Sequence, residues 1–293
     1  MMNTKDPNEQ TVSIRMLNIS DLEHAICLSV AEGWNQTEMD WRLLIENPYN
    51  TCLAAEYDGR VIGTATSLNH SDNVAWIGMV IVDKAFRGRG IGKLLMAGII
   101  DKLVYFESVK LDATPAGLPL YRKLGFVDEY MIDRMVNPAV KDSVLTKQNI
   151  EATKLGCKDY PVILKTDEKV FGTYRGYLIG KLYSAYPGKA FILKSKKGPD
   201  SYIFGRDGIR YNYLGPLIAT SDKSARILIS KALESLVNQP VVLDILQDKK
   251  STIKWLESLG FEKQRHFTRM YLNSNSYKGI IKKYYLISGP EYG

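Results

Sequence analysis

Polar and apolar residues alternate along 11–16 (TVSIRM), the two-residue period of a half-buried strand. Two further β-rich runs, 51–57 (TCLAAEY) and 60–68 (RVIGTATSL), flank Asp58-Gly59, a pair that predicts a tight hairpin because glycine tolerates positive φ. The run 75–82 (AWIGMVIV) is almost continuously apolar, as expected of a strand covered on both faces. Helical spacing of apolar positions predicts helices over 20–33, 37–47 and 93–106, the first two opening on the capping residues Ser20 and Thr37. A short strand over 108–114 (SVKLDAT) and a short helix over 118–124 (LPLYRKL) follow, with Pro119 near the helix start and Gly125 just past its end. A last strand runs from Gly125-Phe126 through Met135. The order β-α-α-β-β-β-α-β-α-β over 11–136 predicts an α/β unit on a mixed sheet, an α+β arrangement.

The pattern then changes. Residues 137–158 are more polar and predict a connector, partly helical. From Tyr160 the first unit is echoed: Leu124-Gly125-Phe126 recurs as Leu259-Gly260-Phe261, and Arg134-Met135 as Arg269-Met270, both at an offset of 135 residues. Each copy is preceded by a strand, 109–114 (VKLDAT) and 241–247 (VVLDILQ), and a helix. Asp207-Gly208, between 201–205 and 209–219, predicts a hairpin like that at Asp58-Gly59. Two repeats at one offset, inside the same order of elements, predict tandem related domains, 1–136 and 159–293, joined by 137–158.

Composition narrows the class. The 293 residues are 45% hydrophobic and 24% charged, enough apolar material for a core and unlike a disordered chain. No apolar run approaches the ~18 residues of a membrane span, and MMNTKDPNEQ has no apolar leader core. Cys27, Cys52 and Cys157 form neither a metal motif nor a disulfide framework, so no metal is expected and a cytoplasmic location is. The net charge of +7 is spread out. Its clusters, Lys194, Lys196 and Lys197, and Lys278, Lys282 and Lys283, read as solvated surface, so neither nucleic acid nor membrane is an expected partner.

The segment with specific chemistry is 82–93, in which Arg87-Gly88-Arg89-Gly90-Ile91-Gly92-Lys93 links the buried strand to an apolar helix. Glycines let backbone N–H groups approach a ligand, the helix start adds its positive dipole, and the arginines add charge. The result is a cradle for a pyrophosphate. It is not a nucleotide P-loop, because Leu94 follows Gly92-Lys93 and the glycine spacing differs. It is not a dinucleotide fingerprint, because the loop follows an antiparallel meander.

RGRGIG after such a strand, together with Leu120-Tyr121-Arg-Lys-Leu124-Gly125-Phe126, resembles the GNAT superfamily of N-acyltransferases over residues 11–136. Residues 160–293 resemble, more weakly, the C-terminal domain of bacterial two-domain members, through 171–175, 202–206 and 214–219. The resemblance implies tandem domains, each a mixed, mainly antiparallel twisted sheet flanked by helices. It implies acetyl-CoA as cosubstrate and transfer of its acetyl group to a primary amine by direct attack in a ternary complex. The amides of Arg89, Gly90 and Gly92, with Gly88, Ile91 and Lys93 beside them and Arg87 at the loop's start, would hold the pyrophosphate. Ile81 and Val82 would pair with the pantetheine arm. An amide at Met79 or Val80 would polarise the thioester carbonyl, and Thr114 stands where the family often has asparagine. Tyr121 matches the general acid that protonates the departing thiolate.

The strand 76–82 departs from the family by carrying no acid. Glu32, Asp40, Asp112, His70 and water all remain open as the base, although His70 sits in what reads as a polar turn (NHSDN). Trp34 and Asn35, after the first helix, border the acceptor channel in this fold. The second domain lacks the glycines, carries Asp222 where a pyrophosphate would be repelled, and has no tyrosine matching Tyr121. Its role is open among walling the acceptor site, binding an acceptor or regulator, and dimerisation. The leading expectation is a small-molecule N-acetyltransferase. The alternatives are an acyl-CoA-binding sensor without catalysis and a protein-lysine acetyltransferase.

Overall fold

The computed structural model describes residues 12–142, 152–195 and 198–293. Thr11, residues 143–151 of the expected connector, and Lys196 and Lys197 lie outside the described residues. The chain divides into two compact units, one holding Met79–Tyr105 with the chain up to Leu68, the other Asn69–Gly78 with Phe106–Gly293. No described helix is long and apolar enough to cross a membrane.

The first unit contains β1 (Ser13–Met16), α1 (Leu22–Ala31), α2 (Glu38–Ile45), β2 (Thr51–Tyr57), most of β3 (Arg60–His70), the second half of β4 (Val74–Val82) and α3 (Ile91–Lys102). β1, β2 and β3 pair antiparallel. Asp58 (φ 51°) and Gly59 (φ 69°) both take the left-handed conformation that a two-residue hairpin of this hand requires. α2 starts at a capping box in which Thr37 and Asp40 satisfy each other's backbone N–H. α3 begins inside the glycine run at Ile91 and ends at Lys102, short of the expected Phe106. Leu103 turns into the core while Val104 and Tyr105 face solvent, so the apolar stripe that would continue a helix is broken.

The second unit continues with β5 (Ser108–Ala113), α4 (Leu118–Lys123), β6 (Val127–Asn137), β7 (Thr153–Lys154), α5 (Tyr160–Phe171) and α6 (Gly176–Ala185). It goes on through β8 (Phe191–Ser195), β9 (Gly198–Arg206), β10 (Asn212–Ile218), α7 (Asp222–Leu233), β11 (Val241–Leu246), α8 (Lys250–Ser258), β12 (Glu262–Asn273) and β13 (Tyr284–Leu286). Its strands lie in the order β4-β5-β12-β6-β11-β13-β10-β9-β8-β7. The pairing is mainly antiparallel, with β4–β5 and β10–β11 parallel. The fold is thus mixed α/β with a mainly antiparallel sheet flanked by helices.

The two repeats exchange strands. β12 of the second copy lies between β5 and β6 of the first, and β6 lies between β12 and β11. The compact units therefore do not coincide with the sequence halves 1–136 and 159–293, because the last strand of each copy pairs with the other copy. The expected connector also begins late: β6 runs through Asn137, and β7 already pairs with β8.

The Leu-Gly-Phe repeat is a helix stop. Gly125 (φ 92°) donates to Arg122 O and Phe126 to Tyr121 O at 3.1 Å. Gly260 (φ 88°) and Phe261 do the same to Glu257 O and Leu256 O. These are the two bonds of a Schellman cap, with a left-handed residue that glycine supplies at least cost. The expected two-residue turn at Asp207-Gly208 is not formed. The connection spans 207–211, Arg206 faces Tyr213, and Gly208 is not left-handed. Asp207 is instead ion-paired to Lys189.

Candidate functional site

In the first unit the chain leaves β4 through Asp83, whose side chain accepts from Ala85 N, and enters the glycine run. Gly88 (φ 78°) and Gly90 (φ 80°) are both left-handed, which points successive N–H groups to one side. Among the described residues, the amides of Gly88, Arg89, Gly90, Ile91, Gly92 and Lys93 donate to no protein acceptor, and Leu94 N is the first to close a helical bond, to Gly90 O. A Cβ at Gly88 or Gly90 would meet nothing within 4 Å, so the row faces open space. Six unpartnered donors at a helix N-terminus form an anion cradle. Both arginines are turned onto the protein. Arg87 Nε donates to Val82 O at 3.0 Å and its Nη2 to Glu32, while Arg89 lies over the Phe86 ring and donates to Ala85 O.

Upstream of the cradle, residues 79–82 of β4 form a sheet edge of this unit, with β3 on one side and no strand paired on the other among the described residues. Met79 interrupts the extended run with φ 49°, a left-handed value unusual for a non-glycine in a strand. Thr64 Oγ1 donates to its carbonyl at 2.8 Å and holds it there. The sequence left Met79 and Val80 as alternatives for the irregular position. The backbone puts the irregularity at Met79, held by a threonine on the neighbouring strand that the β4 sequence does not reveal.

A cleft of about 340 Å³ opens in this unit between α1 and the end of β4, floored by Leu28, Ala31, Val61 and Ile81 and rimmed by Glu32 and Lys84. Trp34 and Asn35 are half-buried just after α1, with Trp34 N donating to Ser29 O at 3.0 Å.

Thr114 and Tyr121 belong to the second unit. Thr114 Oγ1 accepts from Gly117 N at 3.3 Å, so this hydroxyl shapes the turn into α4. Tyr121 is half-buried, with its ring over Gly117 and edge-on to Phe126 at 6.1 Å. A Cβ at Gly117 would lie 2.7 Å from that ring, so glycine is what lets the ring lie there. The Tyr121 hydroxyl makes no hydrogen bond among the described residues, and burial pushes its pKa up to about 12. The offset of 135 residues puts Leu256 in the place of Tyr121, and the carbonyl of each accepts one bond of its Schellman cap. Leucine suffices for that packing, so the cap does not explain the hydroxyl.

The carboxylates left open as bases all have partners. Asp112 is bidentate to Arg269 at 2.9 Å, Asp40 caps α2, and Glu32 pairs with Arg87. His70 is not in a polar turn. It ends β3, 2% exposed, with Nε2 donating to Tyr292 O at 2.8 Å and its ring edge-on to Phe171. Burial, helped by the Arg175 charge, pulls its pKa down to about 3. The turn begins only at Ser71 and covers 71–73; His70 itself belongs to the strand.

The second copy is closed where the first is open. α7 starts at Ser221, whose Oγ accepts from Ser224 N, and Thr220 N donates to Ser201 Oγ. Asp222 accepts from the Tyr285 hydroxyl at 2.8 Å. β10 and β11 pair in parallel as far as Leu214 and Leu243, and β13 then inserts between them, against Leu217, Ile218 and Ile245. This filling strand comes from the far end of the chain, and nothing in its short sequence announced it.

Residues 16–126 match the Acetyltransferase (GNAT) family, and residues 163–286 match the Acetyltransferase (GNAT) domain. The chain is 29% identical over 221 residues to the holothin acyltransferase of Pseudoalteromonas sp. (strain SANK 73390), covering 72% of this chain and 70% of that one. It is 29% identical over 193 residues to the uncharacterized N-acetyltransferase YitH of Bacillus subtilis (strain 168), covering 64% and 66%. A solved chain from Pyrococcus horikoshii superposes with a TM-score of 0.79 at 21% identity over 100% of both chains. A tandem GNAT protein from the clavulanic acid biosynthesis pathway gives 0.63 at 12% identity over 89% of this chain and 98% of that one. At these identities the structural likeness is one of fold.

Proposed function

The chain belongs to the GNAT acetyltransferase family in both of its halves, and from that premise we propose that it moves the acetyl group of acetyl-CoA to the primary amine of a small molecule, with the chemistry confined to the first copy. The observation that carries this reading is the row of six unpartnered amides from Gly88 to Lys93, opening on solvent at the start of α3. A pyrophosphate would satisfy donors that no protein group satisfies.

The open edge of β4 supports the rest. Ile81 and Val82 offer backbone groups to an extended amide-bearing arm, as a strand would. The left-handed backbone at Met79 interrupts the strand near the end of that arm, where a peptide N–H would stabilise the oxyanion formed as the amine attacks. As the carbon–sulfur bond breaks, Tyr121 gives its hydroxyl proton to the sulfur. A phenol held protonated by burial is in the right state to do so, and it regains a proton from solvent. The ammonium proton leaves through water, since Asp112, Asp40, Glu32 and His70 are each held by other groups. The second copy acts as a scaffold, with β13 lying where an arm would enter it.

Thiol release from acetyl-CoA, titrated across a panel of primary amines, tests the reading. Amine-dependent release that Tyr121→Phe strongly lowers is expected. Tight acetyl-CoA binding with no release for any amine would replace the enzyme by a sensor.

A further inference from the structure

α1 ends in a charge that its own dipole disfavours. Glu32 follows the last helical turn, where the unpaired carbonyls favour a cation, yet it carries a carboxylate. Two residues between β4 and α3 compensate it. Lys84 Nζ donates to Ala31 O at 2.9 Å and lies 3.9 Å from Glu32, and Arg87 forms a close ion pair with it. Arg87 immediately precedes the row of open amides, and its Nε is anchored on Val82 O. The arginine adjoining the cradle is therefore already paired with an anion supplied by the protein. That anion is partly exposed, at the rim of the cleft beside β4.

We propose that Glu32 is a positioning residue that holds Arg87 beside the cradle and competes with the incoming diphosphate for it. This inference rests on reading 88–93 as the pyrophosphate site. When a diphosphate occupies the amides, the Arg87 guanidinium moves from Glu32 to a phosphate oxygen, and Glu32 stays with Lys84. No covalent bond is made or broken in the exchange. The device keeps a cationic loop compensated before loading and sets a threshold that only a ligand reaching both the amides and Arg87 overcomes. A lone orthophosphate, with fewer oxygens to span both, gains less.

The sign of one substitution separates this from a structural role. Exposed ion pairs shift an equilibrium by a few-fold at most. Glu32→Gln should therefore tighten acetyl-CoA binding about threefold, measured by calorimetry on the full chain, and lower its KM without raising kcat. Arg87→Gln should weaken binding. In the Arg87→Gln background, Glu32→Gln should change the affinity by less than about 1.5-fold, because the competition is gone. Glu32→Asp, which shortens the reach, should fall between wild type and Glu32→Gln. If Arg87→Gln weakens binding but Glu32→Gln also weakens it, or tightens it equally in both backgrounds, the competition is refuted while the cradle stands. If neither Arg87→Gln nor Arg89→Glu changes acetyl-CoA affinity, the cradle itself has been misread.

Discussion

Arg269 and Asp112 face each other across adjacent strands, bidentate at 2.9 Å and almost wholly buried. The repeat reproduces the relationship with the copies interchanged: Arg134, 135 residues before Arg269, faces Asp244 on β11 at 2.7–2.8 Å. Each arginine thus neutralises an aspartate on the other copy's strand. The two pairs fix the register of the exchange, because a one-residue slip would bury four charges without partners. Arg269 also lies over the Trp76 ring, and Arg134 over the Phe267 ring.

Removing one member of such a pair leaves the other charge buried alone, at a cost of about 3–5 kcal/mol. Asp112→Asn should lower the unfolding free energy by an amount in that range, and Arg269→Met paired with Asp112→Leu should cost less than either single change. Denaturant titration of the three variants gives the comparison. Because Asp112 holds Arg269, the acetyl-transfer rate per folded molecule of Asp112→Asn should stay within a few-fold of wild type. A much larger loss would return Asp112 to the reaction.

The sequence made the repeat visible but not its consequence. Leu-Gly-Phe and Arg-Met were legible at a constant offset, and VKLDAT and VVLDILQ as the strands that precede them, yet the partner of each arginine lies in the opposite copy. Local pattern cannot distinguish a strand that returns to its own sheet from one that crosses to a related sheet with the same alternation. The open row of amides was legible because glycine, arginine and helix start are adjacent in the chain. His70 was misread because its burial comes from Phe171 and Tyr292, more than a hundred residues away. The two-residue turn at Asp207-Gly208 was misread because the dipeptide fixes no turn length, and the connection here spans 207–211.

His70 makes stability depend on pH in a definite direction. Its folded-state pKa lies below the ordinary histidine value of 6.5, so the unfolded chain binds the proton first. Its contribution is intact above about pH 6.5 and is lost as pH falls toward 3, by up to ~1.4 kcal/mol per unit. His70→Gln, which still offers an N–H to Tyr292 O, should flatten this part of the profile. Thermal unfolding followed from pH 7 to 4 in both proteins measures it, and parallel curves would show that His70 is not the titrating group.

Tyr121→Phe preserves the ring that packs on Gly117 and Phe126, so the melting temperature should change little. In the proposed mechanism the hydroxyl acts on charge that appears only as the thiolate departs, so kcat should fall about 10²-fold with acetyl-CoA affinity nearly unchanged. With its pKa pushed up to about 12, Tyr121 should not add a basic limb to the rate profile below about pH 10. Near-wild-type kcat for the variant would give the proton transfer to water.

Ser221→Ala removes the cap of α7 and should lower stability by about 1 kcal/mol without affecting acetyl-CoA binding. A paired measurement of unfolding and affinity decides this. Weakened binding would mean that the second copy also holds the cosubstrate.

In the proposed reading one cradle, Gly88 to Lys93, takes the diphosphate of acetyl-CoA. Calorimetric titration of acetyl-CoA into the wild-type chain and into Arg89→Glu tests it most directly. One site per chain is expected, weakened about tenfold or more when an anion stands in the loop, with unfolding unchanged. Two equivalent sites per chain, or an Arg89→Glu dissociation constant equal to wild type, would contradict it.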